Sequence, residues 1–130
     1  MNMAKGIEIR QAHFPGRAPI DAYGNGGFRF ADMSHRGSIL CLPSGIYGWD
    51  KVDASDLSAE DLARVLAEAE QIEVLLVGTG AEIRPLSPQV RAALRERQVR
   101  SDPMSTGAAV RTFNVMLAES RAVAAALIAV

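Results

Sequence analysis

Arg111 and Asn114 stand three residues apart in a segment that is otherwise apolar or small, from Met104 to Ala118. At that spacing the two share one face of a helix. A guanidinium beside a carboxamide could hold an anion. Arg121 falls near the same face. Burying a guanidinium is costly unless it is paired, so two readings stand. Arg111 either pairs internally, with Glu119 or Asp102, or its face opens on a pocket or partner. In the second case Met104, Ser105 and Thr106, at the start of the helix, could offer backbone donors to the same anion.

Gly78-Thr79-Gly80 is the other candidate, because it closes the strongest apolar run, Val74 to Val77. Glycines there either make a tight strand exit or let a ligand approach the backbone. The dinucleotide fingerprint needs three glycines opening directly into a helix. Here Ile83 stands at the third position, followed by Arg84, and Pro85 and Pro88 delay the helix. Ligand crevices of such sheets still lie at the carboxyl ends of strands. The candidate contact set is therefore Gly78, Thr79, Gly80, Met104, Ser105, Thr106, Arg111 and Asn114. Gly24-Asn25-Gly26-Gly27 could be a binding loop too, though a glycine-rich turn between strands is the commoner reason for such a run.

Other chemistry lacks its parts. Two isolated histidines, His13 and His35, and one cysteine fit no zinc spacing. Cys41 lies between Leu40 and Leu42, as a small buried hydrophobe does, rather than in the electropositive site a nucleophile wants. Ser38, Ser44 and Ser105 lack a nucleophile elbow and a histidine partner. No catalytic residue, metal site or cofactor is expected.

These residues need elements to place them. Ile7 and Ile9 alternate with charged residues as a half-buried strand does, and His13 to Gly16 reads as loop. Ile20 to Tyr23 is a short strand candidate. Phe28 and Phe30 put both rings on one face of a strand. Asp32 to Gly37 reads as a polar connection leading to a buried strand, Ser38 to Leu42, so 27–31 and 38–42 are expected to form a hairpin. Pro43 ends it, and Ile46 to Trp49 follows as another short strand. Tyr47 and Trp49 suit either an interface or the core. Ser58 with Asp61 makes a capping box opening a helix with Leu62, Val65, Leu66 and Ala69 as its stripe. Val74 to Val77 is apolar on both faces, like a covered central strand. Ser87-Pro88 starts the next helix, Gln98 to Ser101 is a weak strand candidate, and a deeply buried last helix begins at Ser105 or Thr106. Ala124 to Val130 continues that helix or forms a terminal strand.

Alternating strand and helix in the second half, after a hairpin-rich first half, predicts an α/β protein with a mixed sheet. The chain has 130 residues, 48% of them hydrophobic, with a net charge of -1. That suits one domain, 1–130, with its own core. The near-zero charge argues against a general nucleic-acid binder. The longest apolar stretch, Ala122 to Val130, is too short for a membrane span. A lone cysteine is consistent with a reducing, cytoplasmic setting. Charge is uneven: 50–73 is rich in acids, whereas 84–100 holds Arg84, Arg91, Arg95, Arg97 and Arg100 against Glu96. These are either two solvated faces or a basic patch for an acidic partner or anionic headgroups.

Six segments in order resemble a known family. They are Tyr23 to Phe30, Gly37 to Leu40, Pro43 to Trp49, Gly78 to Gly80, Met104 to Asn114 and Glu119 to Ile128. Together they resemble the domain of unknown function 498, or MTH-nine-three-eight-like, family. The resemblance implies a three-layer α/β fold around a central mixed sheet and no established catalytic activity. Through mitochondrial members it implies a part in assembling respiratory complex I at the inner membrane. The family usually has tyrosine where this chain has Phe113. The expected function is thus a non-catalytic interaction or assembly factor with a protein partner, peripheral at a membrane if it meets one. The alternative is a small-molecule or anion binder, or a weak enzyme, using the contact set above.

Overall fold

Ser38–Leu42, Val74–Gly78 and Val123–Leu127 are buried along their whole length, and they form the middle of one sheet. A computed structural model of the chain describes residues 12–130; the Ile7/Ile9 strand lies outside them. The strands are β1 (Ala12–Pro15), β2 (Ala22–Gly24), β3 (Gly27–Phe30), β4 (Met33–Arg36), β5 (Ser38–Leu42), β6 (Gly45–Trp49), β7 (Val74–Gly78), β8 (Arg100–Met104) and β9 (Val123–Leu127). The helices are α1 (Ala63–Ala67), α2 (Pro88–Glu96) and α3 (Thr106–Ala118), with 3-10 turns at Glu60–Leu62 and Ala69–Gln71.

The main sheet runs β1-β6-β5-β9-β7-β8. Pairing is antiparallel from β1 to β9 and parallel from β9 through β7 to β8, so the sheet is mixed. A second sheet, β2-β3-β4, is antiparallel. Side chains alternate across a strand, and the core divides accordingly. Ile39, Cys41, Val74, Leu76, Ala125 and Leu127 face α3 and the phenylalanines of β3. Leu40, Leu42, Leu75, Val77, Ala124 and Ala126 face α1 and α2. Three layers result, with the mixed sheet in the middle, as expected.

Several boundaries differ from the sequence reading. Residues 12–15 are a strand on the edge of the sheet, not a loop. The β3 strand pairs with β4, not with 38–42. Ala31 and Asp32 both adopt positive φ, +50° and +62°, which closes a two-residue hairpin turn without a glycine. That turn folds 33–36 back as a strand and frees 38–42 for the main sheet. His35 therefore lies on β4, opposite Phe28. The capping box forms: the Ser58 amide donates to Asp61 Oδ2 at 2.9 Å and the Asp61 amide to Ser58 Oγ at 3.4 Å. Its first turn is 3-10 before α1 begins.

Helix α3 is covered on one side only. Ala109, Val110 and Phe113 are buried, but Val115 is 57% exposed. The helix stops at Ser120, which has φ +60°. The Arg121 amide reaches back to the Met116 carbonyl at 3.0 Å and the Ser120 amide to Leu117 at 2.9 Å, a Schellman-type close. Ala124 to Leu127 then run as strand. Ala125 fits there because α3 lies directly on β7 and β9 and leaves little room above that face of the sheet.

Candidate functional site

The Gly78-Thr79-Gly80 turn and the start of α3 do meet, at the carboxyl ends of β7 and β8. The Thr79 amide donates to the Met104 carbonyl at 2.9 Å, and the Thr106 amide to the Gly80 carbonyl at 2.8 Å. The Thr106 hydroxyl accepts from the Gly80 amide at 3.0 Å and donates to the Ile128 carbonyl at 2.7 Å. The Thr79 hydroxyl lies 2.8 Å from the Glu82 carbonyl and accepts from the Arg84 amide at 3.0 Å. Ser105 caps α3, its hydroxyl accepting from the Ala108 amide at 3.3 Å. The hydroxyls gathered at this junction are thus engaged inside the protein. Gly78 is a close-packing position: a Cβ there would lie 3.0 Å from the Thr106 Cα. An open depression of about 550 Å³ adjoins the turn, lined by Thr79, Gly80, Glu82, Arg84 and Ile128 among others. Met104, Ser105, Thr106, Arg111 and Asn114 do not line it.

Arg111 and Asn114 go to different tasks. Asn114 clamps the chain before β2, its Oδ1 accepting from the Ile20 amide at 2.9 Å and its Nδ2 donating to the Ile20 carbonyl at 2.8 Å. Arg111 is exposed and forms no ion pair among the described residues, so neither Glu119 nor Asp102 is its partner. It is Arg121 that meets Glu119, at 3.7 Å. Arg111 instead lies beside Gly107 and Tyr23. A Cβ on Gly107 would lie 3.1 Å from the hydroxyl-bearing ring carbon of Tyr23 and closer still to the hydroxyl.

Two further clusters border the α1 and α2 face. Tyr47 and Trp49 are half-buried against that core. The Trp49 indole donates to the Asp61 carbonyl at 2.9 Å, and the Arg64 guanidinium lies 4.3 Å from the Tyr47 ring centre, a cation–π arrangement. Ser44 links to Glu68 through its amide at 3.0 Å and its hydroxyl at 2.5 Å, and the Tyr47 hydroxyl lies 2.5 Å from Ser44 Oγ. Nearby, Lys51 meets Asp56 at 2.9 Å and Asp61 at 3.0 Å. Its hydrogen bonds to those carboxylates hold the Lys51 pKa above the ordinary value. The Ser58 amide holds the Asp61 carboxyl below its ordinary value. The Ser44–Glu68 link joins residues far apart in sequence and has no sequence signal.

The second cluster is basic. Arg91, Arg95 and Arg100 line a depression of about 560 Å³ with Gln98, Val99 and Ser101. The uneven charge of 84–100 is its sequence signal. Among the described residues no three His, Cys, Asp or Glu side chains group to hold a metal, and no helix is long and apolar enough to cross a membrane.

A mixed sheet between a layer of α3 with a small antiparallel sheet and a layer of short helices places this fold with the Mth938-like domains. The solution structure of one from Bordetella pertussis matches with a TM-score of 0.75 at 28% identity, covering 85% of this chain and 85% of that one. Residues 20–128 match the family described as protein of unknown function (DUF498/DUF598), and the chain belongs to that family. A crystal structure described as an outer membrane protein from Bartonella henselae is 68% identical, with a TM-score of 0.87 over 90% of this chain and 98% of that one. An uncharacterized protein of Rhodobacter capsulatus is 40% identical over 92% of this chain and 90% of its own length. The mouse NADH dehydrogenase [ubiquinone] 1 alpha subcomplex assembly factor 3 is 32% identical over 94% of this chain, which spans 66% of the mouse protein.

Proposed function

We propose that this chain is an assembly factor that binds a folding or partly assembled protein, with a membrane respiratory complex of the NADH dehydrogenase type as its client. The observation that carries this reading is the similarity to the mouse assembly factor over 94% of the chain. The surface chemistry agrees with it. The hydroxyls at the strand ends are engaged in internal hydrogen bonds, which leaves the ligand-pocket alternative without support. Side chains suited to protein contact are displayed instead: exposed arginines on α2 and β8, Val115 on the outer side of α3, and half-buried Tyr47 and Trp49. Arginine and aromatic residues are enriched in protein interfaces. Catalysis plays no part in this reading. The work would be done at the membrane surface, where the client inserts.

The test is cross-linked affinity capture of the full chain at native expression in its own host, read by mass spectrometry, beside native gels of a deletion strain. Enrichment of NADH dehydrogenase subunits and a build-up of subassemblies in the deletion strain are expected. Capture without any respiratory subunit, with a normal complex in the deletion strain, would refute the reading.

A further inference from the structure

The arginines of α2 and β8 stand out because none of them is in an ion pair among the described residues. Arg91, Arg95, Arg97 and Arg100 are exposed and make no ion pair among the described residues. Arg91 and Arg95 lie one turn apart on α2, so their side chains are neighbours. Arg100 joins them across the depression next to Gln98. Gln98 itself sits at φ +64°, at the close of α2, with the Val99 amide on the Leu94 carbonyl at 2.9 Å. That tight close leads straight into β8 and brings Arg100 to the rim of the depression.

The basic residues here are all arginine. The chain has fourteen basic residues, of which Lys5 and Lys51 are the lysines. Guanidinium forks match carboxylates two bonds at a time and shed water more readily than ammonium.

The neighbouring sheet edge shows how a partner would be held. The Arg100 amide points toward β7, donating to the Glu73 carbonyl at 3.0 Å, and the Met104 carbonyl points the same way, accepting from the Thr79 amide at 2.9 Å. The backbone of Ser101 and Pro103 therefore faces the edge that is unpaired among the described residues, and Pro103 has no N–H to give. A proline on an edge strand blocks strand addition. Recognition here must go through side chains.

We infer that the Arg91–Arg95–Arg100 face docks an acidic segment of a partner protein, with carboxylates spaced one helical turn apart. The inference deepens the assembly reading and rests on it for the partner being a protein. A flat anionic membrane is a poorer match, because Glu96 and Asp102 are exposed on the same region and would meet its phosphates too. A narrow acidic segment can follow the arginines and avoid both. Nucleic acid is a poorer match still, since 84–104 contains no aromatic residue to stack on bases.

The probe is a helical peptide of repeated Glu-Ala-Ala-Ala, titrated into the isotope-labelled full chain and followed by amide chemical shifts. Shifts should centre on 91–101, weaken as salt rises, and vanish with the glutamine version of the peptide. The variant Arg91→Glu/Arg95→Glu should lose about tenfold or more in affinity. The control Arg29→Glu/Arg36→Glu, on the small sheet, should bind like the parent. Equal loss in both variants, shifts scattered over Arg29, Arg36 and Arg111, or no binding at low salt would overturn the inference. So would binding to vesicles of anionic lipid that needs Arg91 and Arg95 while the peptide does not, or peptide-independent self-association through these residues. In cross-linked capture, respiratory subunits recovered equally by parent and Arg91→Glu/Arg95→Glu would remove this docking face and leave the assembly reading standing. The peptide footprint without captured respiratory subunits would do the reverse.

Discussion

The Thr106 hydroxyl donates to the Ile128 carbonyl at 2.7 Å, tying the first turn of α3 to the residue just past β9. The same oxygen accepts from the Gly80 amide at 3.0 Å, so one side chain joins the ends of three elements. Thr106 is fully buried. Thr106→Val keeps the shape and strands both backbone partners, which costs about 1–3 kcal/mol for a buried unsatisfied group. Thr106→Ser keeps the oxygen and should lose clearly less. Urea unfolding of both variants checks this; equal losses would mean the methyl group matters and the hydrogen bonds do not.

Gly78 makes the complementary prediction. A Cβ there would sit 3.0 Å from the Thr106 Cα and 3.0 Å from Leu127 Cδ2. The leucine tip can move and the backbone cannot. Gly78→Ala should therefore destabilise by about 1–3 kcal/mol, the usual cost of overpacking. A thermal midpoint unchanged from the parent would show that α3 can slide away from the sheet.

Why the sequence placed this junction and missed others follows from range. Val74 to Val77, Ser87-Pro88 and Ser58 with Asp61 carry their signals within a few residues, and each formed where expected. Gly78 to Gly80 and the start of α3 meet because β7 and β8 run parallel and end together, a regularity of such sheets. The β3–β4 hairpin was hidden because its turn is Ala31-Asp32, with no glycine to mark it. The outward side of α3 departs from its sequence pattern because a helix apolar all round usually lies buried, whereas here only one layer covers it. Asn114 with Ile20 and Glu68 with Ser44 join distant segments, and no local pattern encodes such a partner.

Asn114 separates clamping from ligand contact. Its two ends satisfy the donor and the acceptor of Ile20 at once. Asn114→Asp keeps the acceptor for the Ile20 amide but turns a carboxylate oxygen on the Ile20 carbonyl. It should destabilise at least as much as Asn114→Ala, with both losing about 1–3 kcal/mol at neutral pH. The aspartate variant should recover on acidification, when protonation restores a donor. Denaturant midpoints at neutral and acid pH read this out; an aspartate variant as stable as the parent at neutral pH would exclude the clamp.

Burial pushes the Cys41 thiol far above its ordinary pKa. The thiolate is the reactive form, so Cys41 should resist a thiol-specific reagent in the folded chain and react at once in denaturant. A native labelling rate close to the denatured one would show that β5 opens locally or that Cys41 has a role in chemistry.

The Lys51, Asp56 and Asp61 cluster sets the pH dependence. Asp61 is held below its ordinary value, chiefly by the Ser58 amide. A carboxyl depressed in the folded chain stabilises above its unfolded pKa and loses that contribution as pH falls through the folded one. Asp53, lowered by the Ser55 amide, acts in the same direction. Lys51 is raised, chiefly by its bond to Asp56 and next by Asp61. Its contribution is complete below the unfolded pKa and is lost as pH climbs through the higher folded one. Stability should therefore sag below about pH 4 and again above about pH 10, near the ordinary carboxyl and lysine values. Asp61→Asn should flatten the acid side and Lys51→Met the alkaline side, each with only a small change at neutral pH because ion pairs at the protein surface contribute little. Thermal midpoints across pH test it, and an acid limb just as steep in Asp61→Asn would assign that limb to other carboxylates.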